Sequence, residues 1–349
     1  MSGFEPGGAR KVMKTELLYT GKPRVKVLDG WRGIAILLVL LEHLQYAFLG
    51  RPLCAATTLG QHGVGIFFVL SGYLITSSLL NRDTTLKSFY IRRLFRILPV
   101  SWTYLAVLAL VSLASGTTIL SRPDAISCLF FFRNHLRITT FTTHFWSLSI
   151  EEQFYLVWPV MLLTLGTQRL LRLGPALIAL IVGTRAYLVW VAHAPVYNFD
   201  MLAHADGLLL GCTLALCLTH EPLRKQALRY WIWLFVPSLL CACACILLFP
   251  YRPPMLESLS VAILIGLTTL AQDHPFAVLI SATWLRTIGI VSYSLYVWQQ
   301  PLLLPHGNLR DSAMLVSLIP FVTVISYAWI ERPCLRAGAR LANRFSGVA

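Results

Sequence analysis

His43 lies eleven positions after Arg32 in the stretch LDGWRGIAILLVLLEH at 28–43, and the run between them is apolar up to Glu42. On a helix that spacing is close to three turns, so both side chains lie on one face with His43 about 16 Å further along the axis. Glu42 points about 100° away and needs no pairing with its neighbour. Polar groups inside a bilayer are costly and mark function by default. FYIRRLFRILP at 89–99 places Arg92, Arg93 and Arg96 at helical spacings that cluster guanidinium groups. Such a cluster suits phosphate binding, because arginine grips phosphate bidentately, and it equally suits a membrane's inner face. Both readings stay open. HFWSLSIEEQFYLVWP at 144–159 opens an apolar helix with two adjacent carboxylates, Glu151 and Glu152, near its outer end. Acids favour helix N-termini. Trp146, Ser147, Phe154, Tyr155 and Trp158 around them suggest a lined pocket. Ser71, in GVGIFFVLSGYLI at 63–75, suits a ligand hydrogen bond or a bond within its own helix. Asp206, in HADGLLLG, or a glutamate is the natural partner of Arg185, with such a pair as a plain interhelical contact the competing reading; His204, Gln299 and Gln300 are further buried polar candidates.

These residues need membrane helices to position them. The chain has 349 residues, of which 56% are hydrophobic and only 13% charged, with mean hydropathy +0.67. That is the composition of a polytopic membrane protein. A formal charge of +14 raises nucleic acid as a partner. The basic residues sit between hydrophobic runs, where they set topology, and exclude that reading. The eight cysteines form no CxxC pair, and CACAC at 241–245 lacks zinc-ribbon spacing and a histidine, so no metal site is expected. No cleavable signal peptide is apparent, because the N-terminus to Lys26 is polar and basic.

A spanning helix needs about 20 mostly apolar residues. Runs at 33–49, 60–80, 97–116, 145–165, 174–192, 203–219, 231–250, 255–271, 286–305 and 312–331 predict an all-α fold with ten transmembrane helices. FFF at 130–132 reads as a short re-entrant or interfacial piece. With the N-terminus cytoplasmic, 22 lysines and arginines fall on the inner side and 6 on the outer. That asymmetry predicts both termini inside. The expected organisation is a cytoplasmic N-terminal segment at 1–27, a transmembrane domain at 28–333 and a cytoplasmic tail at 334–349. No internal repeat of the transporter kind is evident.

Five blocks occur in order: LDGWRGIAILLVLLEH, GVGIFFVLSGYLIT, FYIRRLFRILP, FWSLSIEEQFYLVWP, and GIVSYSLYVWQQP with IERP at 330–333. Any one is weak, but together, from residue 28 to 333, the chain resembles the acyltransferase-3 family of integral membrane O-acyltransferases. The resemblance implies about ten spans in the cytoplasmic membrane and cytoplasmic acyl-CoA, most often acetyl-CoA, as donor. It implies a carbohydrate hydroxyl on an envelope or exported glycan, or on a glycoside such as a macrolide, as acceptor. It carries the essential Arg and His positions onto Arg32 and His43, the cytoplasmic arginines onto Arg92, Arg93 and Arg96, and the WSL-x-x-E positions onto Trp146, Ser147 and Glu151. Two places depart from the family: His204 stands where an arginine is usual, and Gln299 where a histidine is usual. Some members carry an additional esterase-like domain; this chain is expected to act alone or with a separate partner.

The implied chemistry needs a base, for which His43 is best suited. Arg32 and the arginine cluster would hold the donor's phosphates. Glu151 would orient His43 or bind the acceptor hydroxyl, with Ser71, Trp146, Ser147, Glu152 and Asp206 as further substrate contacts. Transfer could be direct or pass through an acyl-histidine or acyl-serine. Two other classes compete: a glycan or lipid-linked-sugar transporter, and a scaffold whose buried polar groups only join helices.

Overall fold

The computed structural model describes residues 25–49, 59–81, 84–136, 140–191, 204–248, 255–304 and 309–346, and among them it is all-helical. Residues 1–24 of the expected N-terminal segment, and the charges Arg51, Arg82, Arg137 and Arg252 used for topology, lie outside that set. Three long helices come first: α1 (Lys26–Leu49), α2 (Leu59–Leu79) and α3 (Leu86–Ser115). Thr85 caps α3 by accepting from the Ser88 amide, and Gly116 ends it at φ +67°. A short helix, α4 (Arg122–Leu129), and a 3-10 turn at Arg133–His135 follow.

Between those two pieces the FFF triplet makes a sharp turn. Phe131 takes φ +55°, a left-handed conformation unfavourable for an aromatic residue. Gln153 holds it by donating Nε2 to both the Phe131 carbonyl (2.9 Å) and Asn134 Oδ1 (2.8 Å). Buried Arg133 donates to Thr142 Oγ1 and pairs with Asp124 at 3.4 Å.

The runs at 145–165 and 174–192 are one kinked element, α5 (Phe145–Trp190). Gly166 breaks it at φ +75°, where a side chain would be strained. The remainder comprises α6 (Asp206–Cys217), α7 (Glu221–Arg229), α8 (Trp231–Leu248), α9 (Met255–Leu270), α10 (Pro275–Ile280), α11 (Thr283–Ile290), α12 (Ser292–Leu302), α13 (Leu309–Ile325), a π-helical segment at Ser326–Glu331 and α14 (Arg332–Asn343). Among the described residues six stretches are long and apolar enough to cross a membrane, namely α1, α2, α3, α5, α8 and the continuous Arg310–Asn343 that joins α13 to α14, and α6 and α9 are shorter apolar helices. The predicted run at 286–305 is divided among α11, α12 and their junction.

α2 sits centrally, against α1 on one side and α6 on the other. The α2–α6 crossing is close because Gly72 faces the Leu208 carbonyl and Gly211 faces the Val69 carbonyl, with no space for a Cβ on either. α14 packs on α3 and is held there by Thr85 Oγ1 donating to the Phe345 carbonyl at 2.6 Å. Residues following Glu331 are therefore part of the helical packing around the arginine cluster.

Candidate active site

Two cavities run end to end between α1, α2, α3, α5 and α12. The larger, about 300 Å³, is lined by Arg32, Arg92, Arg93 and Arg96 together with Ser71, Ser147, Glu151 and Tyr293. The smaller, about 210 Å³, is lined by Glu42, His43, Gln61, His144, Trp146 and Gln300. Val64 of α2 and Tyr296 of α12 line both, so the two spaces adjoin at these residues. Arg32 and His43 accordingly face different but neighbouring chambers from one side of α1, as their spacing predicts.

His43 Nδ1 lies 2.8 Å from the Val39 carbonyl. A carbonyl only accepts, so Nδ1 carries the proton of the neutral ring and Nε2 keeps its lone pair. Glu42, adjacent in sequence, receives the Gly60 amide and so caps the first turn of α2. It also lines the His43 chamber. This is the role that sequence reasoning lacked for it.

The arginines divide by partner. Arg93 donates to Glu151 and to Glu152, each at 3.3 Å, and lies over the Tyr155 ring at 3.5 Å. Arg92 donates to Asn343 Oδ1 (3.3 Å) and Ser346 Oγ (3.2 Å) at the end of α14. Arg32 pairs with buried Asp29 at 3.5 Å, a partner the LDGWRG motif contains but that sequence reasoning passed over. Arg96 lines the larger chamber and makes no hydrogen bond to any described residue.

Several expected contacts need correction. Glu151 accepts from Ser71 Oγ (2.9 Å), Arg93 and Tyr155 Oη (3.3 Å), so it belongs to the arginine layer and does not orient His43. Ser71 spends its proton on Glu151 rather than on its own helix. Glu152 lines neither chamber and serves as the second anchor of Arg93. Asp206 also lines neither: it binds Arg185 at 2.6 Å and accepts from Ser258 at 3.3 Å, joining α5, α6 and α9. The pairing with Arg185 is as expected; the substrate contact is not. Of the aromatic residues in 144–159, only Trp146 lines a chamber. Phe154 and Trp158 stack on each other in the core, where Trp158 Nε1 donates to Thr76 at 2.9 Å.

Ser147 and Tyr296 meet at 2.6 Å where the chambers join, and the Tyr296 hydroxyl also donates to the His144 carbonyl at 3.0 Å. Tyr296 and His144 are site-lining residues that sequence reasoning missed, whereas Gln300 is one of its buried polar candidates. The available signal was spacing: Tyr293, Tyr296 and Gln300 recur at helical intervals along one face of α12. Behind that face, Ser294 donates to buried Glu331 of IERP at 2.7 Å, and Trp298 donates to Ser326 at 3.0 Å, both within the π-helical segment.

A helical bundle with an arginine-lined chamber beside a histidine-lined one, Val64 and Tyr296 lining both, is suited to bringing an anionic donor and a second substrate together. The profile of the acyltransferase-3 domain family matches residues 25–330, and the chain belongs to that family. Among its relatives is the peptidoglycan O-acetyltransferase OatA of Listeria monocytogenes, 30% identical over 96% of this chain and 59% of that protein. A putative peptidoglycan O-acetyltransferase of Bacillus subtilis, YrhL, is 31% identical over 91% and 56%, and a putative O-acetyltransferase of Staphylococcus aureus is 31% identical over 90% and 58%. The chain thus spans somewhat under three fifths of the length of these curated relatives. No solved structure matches it.

Proposed function

We propose that this chain transfers an acyl group, most often acetyl, from cytoplasmic acyl-CoA to a hydroxyl of an envelope carbohydrate, as a multi-pass protein of the cytoplasmic membrane. Peptidoglycan, named for two relatives, is the leading acceptor. The observation that carries the reading is the pair of adjoining chambers: four arginines line one, His43 lines the other, and Val64 and Tyr296 belong to both. The charge asymmetry of the sequence supports a reading with ten crossings, both termini inside and the arginine chamber on the cytoplasmic side. α12, α6 and α9 then count as short or broken crossings, which membrane proteins tolerate where other helices cover the backbone.

In this scheme Arg96, Arg92 and Arg32 hold the phosphates of CoA, and the thioester reaches the junction at Val64 and Tyr296. The acceptor hydroxyl lies in the second chamber. His43 Nε2 takes its proton as the oxygen attacks the thioester carbonyl, the tetrahedral oxyanion collapses, and CoA leaves as a thiolate that is then protonated. The new bond is an ester to the sugar oxygen; the bond broken is carbon–sulfur. Val39, holding Nδ1–H, keeps the ring in the orientation and tautomer this step needs. A transporter would also place charge in mid-membrane, but the family is one of acyltransferases and nothing in the two chambers favours transport over transfer.

The test supplies labelled acetyl-CoA to membranes carrying the wild type or His43→Ala at matched protein level. Loss of a general base lowers turnover by about 10²–10⁴-fold. Undiminished transfer in His43→Ala sinks the assignment.

A further inference from the structure

Arg92 lines the larger chamber, yet both of its partners come from the far end of the chain. One amino group of its guanidinium, Nη2, donates to Asn343 Oδ1 at 3.3 Å and to Ser346 Oγ at 3.2 Å. A guanidinium only donates, so the Asn343 amide turns its oxygen to Arg92. Ser346 sends its own proton to the Ala342 carbonyl at 3.2 Å and offers Arg92 a lone pair. The other amino group, Nη1, has no hydrogen bond to a described residue and, unlike the Nε beside it, is not buried. One amino group of the fork is held and the other is open.

Both acceptors are neutral. That separates Arg92 from Arg93, whose charge meets Glu151 and Glu152, and from Arg32, which pairs with Asp29. Neutral acceptors fix the plane of a guanidinium without cancelling its charge, so the cation stays available to an anion. A phosphate need not displace them, because Nη1 is open. The position of the two acceptors is set by other contacts. Thr85 Oγ1 donates to the Phe345 carbonyl at 2.6 Å, Lys87 Nζ lies 3.7 Å over the Phe345 ring, and Gly338 packs on Phe95 with no space for a Cβ. Asn343 and Ser346 are thus carried on a seated helix end, beyond residue 330 where the family match stops.

Resting on the proposed binding of acyl-CoA in the arginine chamber, we infer that Asn343 and Ser346 are positioning residues for the donor. They hold Arg92 by Nη2 and leave Nη1 and the full positive charge to a donor phosphate. The donor site accordingly extends past the matched domain into the end of α14.

Isothermal titration of acetyl-CoA into the purified full chain in detergent tests this, with thermal unfolding of each variant alongside. Asn343→Ala combined with Ser346→Ala should raise the Kd about three- to ten-fold, because the cation is no longer held in place. Asn343→Asp should unfold no earlier than the wild type, since its carboxylate pairs with Arg92, yet raise the Kd about ten-fold by cancelling the charge. A merely structural contact predicts unchanged donor affinity for the aspartate. In an Arg92→Ala background neither change should move the Kd further. Wild-type or tighter binding by the double-alanine variant, wild-type affinity in the aspartate variant, or losses that persist without Arg92 overturn the inference. If the double-alanine variant does not fold, the aspartate variant with and without Arg92 decides. A wild type that does not bind acetyl-CoA removes the proposed donor and the inference together. Equal binding by the wild type and Arg92→Ala overturns the inference while the proposed donor stands.

Discussion

Arg93 and Arg96 are three residues apart on one helix and line one chamber, yet their replacement should have different consequences. Arg93 has two carboxylates and an aromatic ring as partners, whereas Arg96 has no hydrogen bond to a described residue. Removing one member of a buried ion pair costs about 3–5 kcal/mol, because the partner charge is left behind. Here Arg93 is 20% exposed and the two carboxylates are 14% and 18% exposed, so water recovers part of that. Loss of the stack on Tyr155 adds about 1 kcal/mol. The balance for Arg93→Ala is a destabilisation of about 2–4 kcal/mol, a factor of roughly 30–1,000 in the folding equilibrium. Arg96→Ala breaks no carboxylate hydrogen bond but removes a cation that interacts with Glu151, Glu152 and Glu331, so it should cost less than Arg93→Ala, about 0.5–2 kcal/mol.

The assay is thermal unfolding of each detergent-purified variant, followed by the KM for acetyl-CoA of whatever remains folded. Arg93→Ala should unfold earliest, and Arg93→Met combined with Glu151→Gln and Glu152→Gln should recover much of the loss, since no unpaired charge is then present. Arg96→Ala should melt closer to the wild type than Arg93→Ala does and show a KM for acetyl-CoA raised at least several-fold. The reasoning fails if Arg93→Ala is as stable as wild type and only its donor KM rises. In that case Arg93 is a ligand clamp, and the bonds to Glu151 and Glu152 are incidental.

Asp206→Ala should lower thermal stability by about 2–4 kcal/mol by orphaning Arg185, with acceptor and donor KM unchanged in the folded fraction; a selective rise in acceptor KM would restore Asp206 to the substrate site. Gly72→Val should abolish folded protein in membranes, because its side chain meets the Leu208 backbone, and normal yield would show the α2–α6 crossing to be adjustable. Glu42→Ala removes the cap on α2 and should cost about 1 kcal/mol of stability; a loss of activity far beyond the loss of folded protein would assign Glu42 a chemical role.

What could be read from sequence was whatever depends on a single helix. The Arg32–His43 face, the arginine cluster and the apolar runs are periodicities along one chain segment, and geometry at 1.5 Å per residue turns them directly into positions. Apart from the Arg185–Asp206 pair, what could not be read was which helix supplies the partner. Arg93 reads as a free cation from FYIRRLFRILP because the carboxylates that occupy it lie 58 and 59 residues downstream. Arg92 likewise finds Asn343 and Ser346 some 250 residues away. The segmentation at 286–305 was hidden for a different reason: hydropathy continues unbroken across the junction of α11 and α12, while the backbone does not.

The displacement of Glu151 has a more specific cause. An apolar run beginning near residue 145 reads as starting at a membrane surface, which would set Glu151 at the outer interface. In the structure, the Phe141 carbonyl takes the hydroxyl of fully buried Tyr104 at 2.6 Å just before α5 begins, and Phe145 at its start is itself fully buried. α5 consequently starts inside the bundle, at the level of the His43 chamber that Trp146 and His144 line. Glu151 is five residues beyond Trp146, about 7–8 Å along the axis, which carries it past the junction and into the arginine layer. A helix that starts at depth carries its first-turn residues to the reaction chamber and its second-turn acids to the cations. The same displacement explains why WSL-x-x-E works as one motif. Its tryptophan lines the space around His43, its serine meets Tyr296 at the junction, and its glutamate fixes Ser71 and Arg93 beyond it.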